Sequence, residues 1–166
     1  MALSGSISIA WNLTEQVDTD LRSGLSPLNA SWTWNVATGT GSGQADKIWS
    51  DTRSLGASAT EDLDLSGVLT DLFGTVTFAK MKAFAIRSAA ANLNNINVSR
   101  PAGATGVPWF LAVSDGFVLT PGGMFLYALP QTGITVTNST ADLITITNAA
   151  GTNTVSYDVV IVGTSA

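Results

Sequence analysis

Neither histidine nor cysteine occurs in this 166-residue chain. Without cysteine there is no disulfide, no thiolate nucleophile and no thiolate metal site, so folding is expected not to depend on redox conditions. Without histidine the chain lacks the commonest general base, the Ser-His-Asp arrangement and the commonest metal ligand. A serine nucleophile would need lysine as its base, and no such motif stands among the few lysines. Charge is scarce too: 11% of residues are charged, where about 25% is usual. The basic residues are Arg22, Lys47, Arg53, Lys80, Lys82, Arg87 and Arg100, of which only Lys80 and Lys82 lie close together. With a net charge of −5, partnership with nucleic acid or an anionic membrane is not expected, because both call for clustered Lys and Arg. The mild acidity favours solubility.

Long apolar runs are also missing. The longest, Val107 to Val113, falls far short of the ~18 residues of a membrane span. The opening Met1-Ala2-Leu3-Ser4-Gly5 has no basic stretch followed by an apolar one, so no signal peptide is expected and synthesis is assigned to a cytoplasm. The Asn-x-Ser/Thr sites at Asn12, Asn29, Asn97 and Asn138 therefore read as turns and strand edges, not glycan acceptors. Hydrophobic residues still make up 45% of the chain. One packed core is affordable at this length, and the surface must be dressed in Ser, Thr, Asn and Gly. Such a surface suits an exterior partly covered by other subunits.

What is present is period-two alternation, the mark of half-buried strands. Ile7, Ile9, Trp11 and Leu13 alternate with Ser6, Ser8, Ala10 and Asn12; Trp32, Trp34 and Val36 alternate with Ser31, Thr33 and Asn35. The pattern returns at Ile134–Val136, at Ile144–Ile146 and from Val155 to Val162, where the last strand turns apolar on both faces, as a central or interface strand would. Further strand-sized runs lie at Lys47–Ser54, Ala57–Leu65, Val76–Ser88, Gly116–Leu119 and Met124–Leu129. Turn signals at Gly39–Gly43, Pro101–Gly106, Pro121–Gly123 and Ala149–Asn153 separate them. About ten closely spaced strands predict a single all-β domain over 1–166, an antiparallel sandwich or barrel with very little helix. The one helix expected is short, Gly67–Phe73, with Ser66 as N-cap and Gly74 closing it. Thr14–Ala30, which contains Pro27, is expected to be an extended arm or a long loop, and Ala89–Val107 a weak hairpin.

Few residues offer chemistry. Glu61, Asp62 and Asp64 form the acidic cluster, but on a strand Asp62 and Asp64 point one way and Glu61 the other. Hard cations take six or more oxygens, and the Ca²⁺-loop spacing is missing, so a solvated strand face is the expectation. Gly39, Gly41 and Gly43 are not followed by a Lys-Ser/Thr pair and a helix, so they read as a hairpin loop and not as a phosphate cradle. Neither metal nor cofactor is expected. Of the five tryptophans, Trp11, Trp32 and Trp34 occupy the apolar phase of alternating strands and are expected in the core. Trp109, in Pro108-Trp109-Phe110-Leu111, is expected to be exposed or at a subunit contact.

An ordered set of segments carries a family likeness: Gly43-Gln44-Ala45-Asp46-Lys47-Ile48-Trp49-Ser50-Asp51-Thr52-Arg53, then Ala57-Ser58-Ala59-Thr60-Glu61-Asp62-Leu63-Asp64-Leu65, Asp71-Leu72-Phe73-Gly74 and Thr77-Phe78-Ala79-Lys80-Met81-Lys82. Later come Thr120-Pro121-Gly122-Gly123-Met124-Phe125, Thr140-Ala141-Asp142-Leu143-Ile144 and Tyr157-Asp158-Val159-Val160-Ile161-Val162-Gly163. This succession, over roughly Gly41 to Gly163, resembles a group of small virion proteins of tailed bacteriophages. The resemblance implies a jelly-roll-like β-sandwich displayed on the virion. It implies a decoration or cement protein, typically a homotrimer, bound to the major capsid protein of the phage head. The alternative it leaves open is a tail-associated or receptor-binding module that binds host surface carbohydrate. An enzyme using two acids from Glu61, Asp62, Asp64, Asp46 and Asp51 is the least favoured class, because such a pair must sit ~5–10 Å apart across a cleft. Candidate interface residues are Trp109, Phe110 and Leu111, the loop Gly122-Gly123-Met124, and the arm Thr14–Ala30.

Overall fold

The computed structural model describes residues 2–67, 69–103 and 105–166, and all of its regular structure is β. The strands are β1 (Gly5–Thr19), β2 (Arg22–Thr38), β3 (Gln44–Ala45), β4 (Lys47–Leu55), β5 (Thr60–Asp64), β6 (Leu69–Asp71) and β7 (Gly74–Val76), followed by β8 (Lys80–Ser88), β9 (Ile96–Ser99), β10 (Gly116–Leu119), β11 (Met124–Ala128), β12 (Ile134–Thr135), β13 (Leu143–Asn148) and β14 (Val155–Thr164). Eight of them form two antiparallel sheets, ordered β11-β8-β14-β4 and β10-β9-β13-β5, with β12 adding to β8 beyond β11. The pairs are nested: β4 with β14, β5 with β13, β8 with β11 and β9 with β10.

The alternation in the sequence explains which side of each strand faces inward. Ile144 and Ile146 of β13 meet Val155, Tyr157, Val159 and Ile161 of β14 in one core, joined by Trp49, Leu63, Phe84, Ile86, Ile96 and Val98. Period-two side chains on two sheets packed ~10 Å apart interdigitate in this way. The chain is thus an all-β sandwich. β14 is central, flanked by β8 and β4. Its outward residue Val162 is buried as well, in a second cluster with Val36, Ala45 and Ala83.

Two regions differ from expectation, and a third takes the arm form of the two alternatives. Gly67–Phe73 is not a helix: Leu69–Asp71 pairs with Gly74–Val76 as a tight hairpin. The Asp71 carboxylate accepts from the Phe73 amide at 2.7 Å, and Gly74 takes a φ of +109°. Leu69 and Val76, directly opposed, are buried, and Trp49 Nε1 donates to the Thr70 carbonyl at 3.0 Å. Anchorage to the core therefore outweighs a helical pattern too short to be stable alone. The residues 14–30 are not a loop but the outer part of a β1–β2 ribbon, turned at Asp20-Leu21. Among the described residues of 89–107 only Ile96–Ser99 is a strand, and its partners are β10 and β13, not a neighbour within the segment.

The bulge between Val162 and Gly163 brings β14 tightly against β8. A Cβ at Gly163 would lie well inside contact distance of the Lys80 carbonyl oxygen and of the Phe78 ring. Gly163→Ala is expected to lower stability by about 2–3 kcal/mol through this overpacking, measured as the change in urea midpoint at unchanged slope. A loss below about 0.5 kcal/mol would show that the bulge relaxes freely.

Candidate functional site

The feature with most to offer a partner is the ribbon. Register sets its two faces: Ile7 opposes Trp34, Ile9 opposes Trp32, Trp11 opposes Ala30 and Leu13 opposes Leu28. Cross-strand partners share a face, so these residues form one apolar stripe. Ser6, Ser8, Asn12, Asn29, Ser31, Thr33 and Asn35 form the opposite, polar face. At the base, Ile7 and Trp34 pack on the Val36–Ala45–Ala83–Val162 cluster, and Trp34 Nε1 donates to the Gly43 carbonyl at 2.9 Å. Above it Trp11 and Trp32 meet edge to face, with ring centroids 4.4 Å apart. From Asn12 to Asn29 every residue is exposed. Leu13 is 58% exposed, Val17 58%, Leu28 55% and Trp32 66%. Of the three tryptophans expected in the core, only Trp34 takes part in a buried cluster, and that cluster lies outside the sandwich core.

Beside the ribbon base lies an apolar groove on the outward face of the β11-β8-β14-β4 sheet. Ile48, Ala83, Ala85, Leu126 and Val160 line it, with Ile7 of β1 at its wall. Met124 extends it along β11, and Arg87 and Asp158, 3.7 Å apart, stand at that end. The ribbon base is held by a buried cation. Lys82 Nζ donates to the Gly41 carbonyl and, at 3.3 Å, to the Pro130 carbonyl, so the glycine loop is clamped to the segment before β12. Burial, and then the charge of Lys80, hold the Lys82 ammonium below its ordinary pKa.

The six interface candidates do not share one surface. Trp109 is half-buried, not free: it packs on Phe84 at 4.9 Å, Phe110 at 4.8 Å and Phe117 at 6.2 Å. Its Nε1 is buried and finds no acceptor among the described residues. Phe110 is half-buried beside it, its carbonyl accepting from Arg100 Nη1 at 3.1 Å, and Leu111 is fully exposed. Gly122 and Gly123 make the turn into β11, with the Gly123 amide donating to the Thr120 carbonyl at 2.8 Å. Met124 is exposed on the groove.

The acidic cluster is divided among separate partners. Glu61 accepts from Arg53, whose Nη2 lies at 2.6 Å, and from the Tyr157 hydroxyl, tying β5 to β4 and β14. Asp62 accepts from Thr145 Oγ1 at 2.6 Å, and Asp64 from the Ser66 amide at 2.8 Å. No three His, Cys, Asp or Glu gather for a metal among the described residues, and no helix there is long and apolar enough to cross a membrane. The Arg53–Glu61–Tyr157 set reads as a staple between sheets. Sequence spacing could not find it, because its members come together only through the sandwich.

Comparison with protein-family models, curated proteins and solved structures gives no match at the level of significance.

Burial, and then Glu61, push the Tyr157 phenol far above the ordinary tyrosine value. A group whose folded pKa is raised contributes stability that is complete below its unfolded pKa, near 10, and lost as pH rises beyond it. Stability is therefore expected to fall above about pH 10, the unfolded tyrosine value, and to fall less steeply in Tyr157→Phe. That variant should cost about 1–2 kcal/mol at pH 7 for the lost hydrogen bond to a charged acceptor. Denaturant titrations from pH 7 to 11.5 decide this, and parallel pH profiles for the two proteins would count against the staple.

Proposed function

We propose that the chain is a structural virion protein, a decoration or cement protein that binds the outer surface of a tailed-phage head through the major capsid protein. The observation that carries this reading is the ribbon, whose apolar stripe over Ile7–Leu13 and Leu28–Trp34 is left largely uncovered by the chain itself at Leu13, Leu28 and Trp32. A two-stranded ribbon is marginal in water until something covers it, so the chain is built to be completed by assembly. The nested pairs support the jelly-roll reading. Pairing first with last, second with seventh, third with sixth and fourth with fifth is what a long hairpin gives when it winds into two sheets. The likeness to small phage virion proteins adds the location, the virion surface after synthesis in the host cytoplasm.

A cement role needs buried area at joints of a shell and not a reaction. Small subunits laid across those joints add contacts where outward pressure parts the shell first. When shells lacking the protein are mixed with purified chain, co-sedimentation is expected to saturate at a fixed ratio and to raise the temperature at which shells rupture. Chain that stays in the supernatant at micromolar concentration would overturn the cement reading.

One observation favours a second reading. Trp32, exposed beside Trp11 on an amide-rich ribbon, offers a face on which sugar rings stack. On that reading the chain is a tail-associated module for host surface carbohydrate. A glycan array should then give selective binding that Trp32→Ala abolishes, and an empty array removes this reading.

A further inference from the structure

We infer that the apolar stripe of the ribbon is covered by a second copy of this chain, lying in the groove on the outward face of that copy's β11-β8-β14-β4 sheet. The inference deepens the assembly reading and rests on it.

Three observations select this occupant. First, the chain already uses the contact at short range. Ile7 and Trp34, the lowest rung of the stripe, pack on Ala83 and Val162 of the same outward sheet face. The groove continues that face past the ribbon base, over Ala85, Leu126 and Val160, and the stripe continues the same chemistry past Ile9 and Trp32. Second, the surfaces match in charge. Between Ile7–Leu13 and Leu28–Trp34 the stripe carries no charged side chain, and the charges at the groove, Arg87 and Asp158, face each other as a pair. Burying either surface therefore strands no unpaired charge. Third, the exposed surface is apolar on both sides of the contact. Leu13, Leu28 and Trp32 are each more than half exposed, and the stripe of one copy meets Met124, Ile48 and the groove of the next. One such contact is small beside the ~1,600 Å² of a standard interface, and a closed ring gives every chain two, one through its stripe and one through its groove.

Ribbon into groove is a head-to-tail contact, since the two surfaces differ. Such contacts close into rings where the rotation permits, and a closed ring of any size leaves no ribbon uncovered. The full chain is therefore expected to run in solution as a discrete multiple of its 17.1 kDa mass and not as a monomer.

Two measurements test this. Light scattering compares the full chain with the ribbon double variant Leu13→Lys/Trp32→Lys and with the groove variant Met124→Lys. The expected result is loss of the oligomer in the double variant, with its thermal transition kept, and a weakened oligomer in Met124→Lys. A monomeric wild-type chain, or an oligomer that both variants retain, overturns the inference. The second measurement stands even if a variant folds poorly. Because the chain has no cysteine, Leu28→Cys and Leu126→Cys can be made singly, mixed, exchanged and oxidised. A disulfide joining the two different variants is expected. Crosslinks only between identical variants, or none, overturn it. Shell binding separates the two proposals: an oligomer that ignores shells overturns the cement reading alone, and a monomer that binds shells overturns the second-copy contact alone.

Discussion

Strand β14 is apolar on both sides from Val159 to Val162, and most of the architecture follows from that. Its inward residues Val155, Tyr157, Val159 and Ile161 require a second sheet. The β10-β9-β13-β5 sheet supplies it, because β13 carries Ile144 and Ile146 in the matching phase. Its outward residues Val160 and Val162 require another cover. The ribbon base, through Ile7, Trp34 and Val36, covers the Val162 end. A strand buried on one face makes a two-layer sandwich; one buried on both asks for a lid, and the small β1-β2-β3 sheet covers only its Val162 end. The ribbon and the groove exist on the same side of the molecule for this reason.

Little charge is available to hold this together, so amides and carbonyls do much of the work. At one end of the sandwich Asn148 Nδ2 donates to the Gly56 carbonyl at 2.8 Å and to that of Asn153 at 2.9 Å. Asn94 donates to Asn148 Oδ1 at 3.1 Å, and Asn92 both donates to the Ser156 carbonyl and accepts from its amide. These three buried side chains find partners in loop carbonyls and in Ser156 of β14, which is the condition for burying a polar residue at all. At the ribbon base Lys82 serves a comparable end by capping carbonyls of two loops, and its lowered pKa reflects the burial this demands.

The strands were legible because alternation reports directly on a sheet with one face in a core: Gly116–Leu119 and Lys47–Leu55 fall where period two and turn residues place them. Alternation does not say what covers the apolar face. Trp11 and Trp32 obey the same pattern as Ile144 and Ile146, yet they lie on a ribbon outside the core, and Pro27 within β2 was the available sign of an edge. The false helix arose because Asp71 and Gly74, which suit a tight turn, look the same as a helix ending when Leu69 and Val76 are not known to be opposed. The packing around Trp109 was not legible for a related reason. Its loop is rich in breakers, but Phe84, Phe117 and Phe125 from three strands converge on it, and no local signal reports such a meeting.

The ribbon separates two hazards that usually travel together. Among the described residues its edges are bare backbone, since β1 pairs only with β2, and β2 pairs otherwise only at Ala37 and Thr38. Open edges invite strand addition and endless aggregation. Here Pro27 removes a donor from one edge, and Glu15, Asp18 and Asp20 put like charge near the tip, both of which oppose edge pairing. The stripe carries no such guard between Ile7 and Leu13. A chain selected merely to stay monomeric would have placed polar residues there, as it did on the opposite face at Ser6, Ser8 and Asn12. Guarded edges with an unguarded face favour the proposed association through side-chain packing in a fixed register, which can close and stop, over backbone pairing, which cannot.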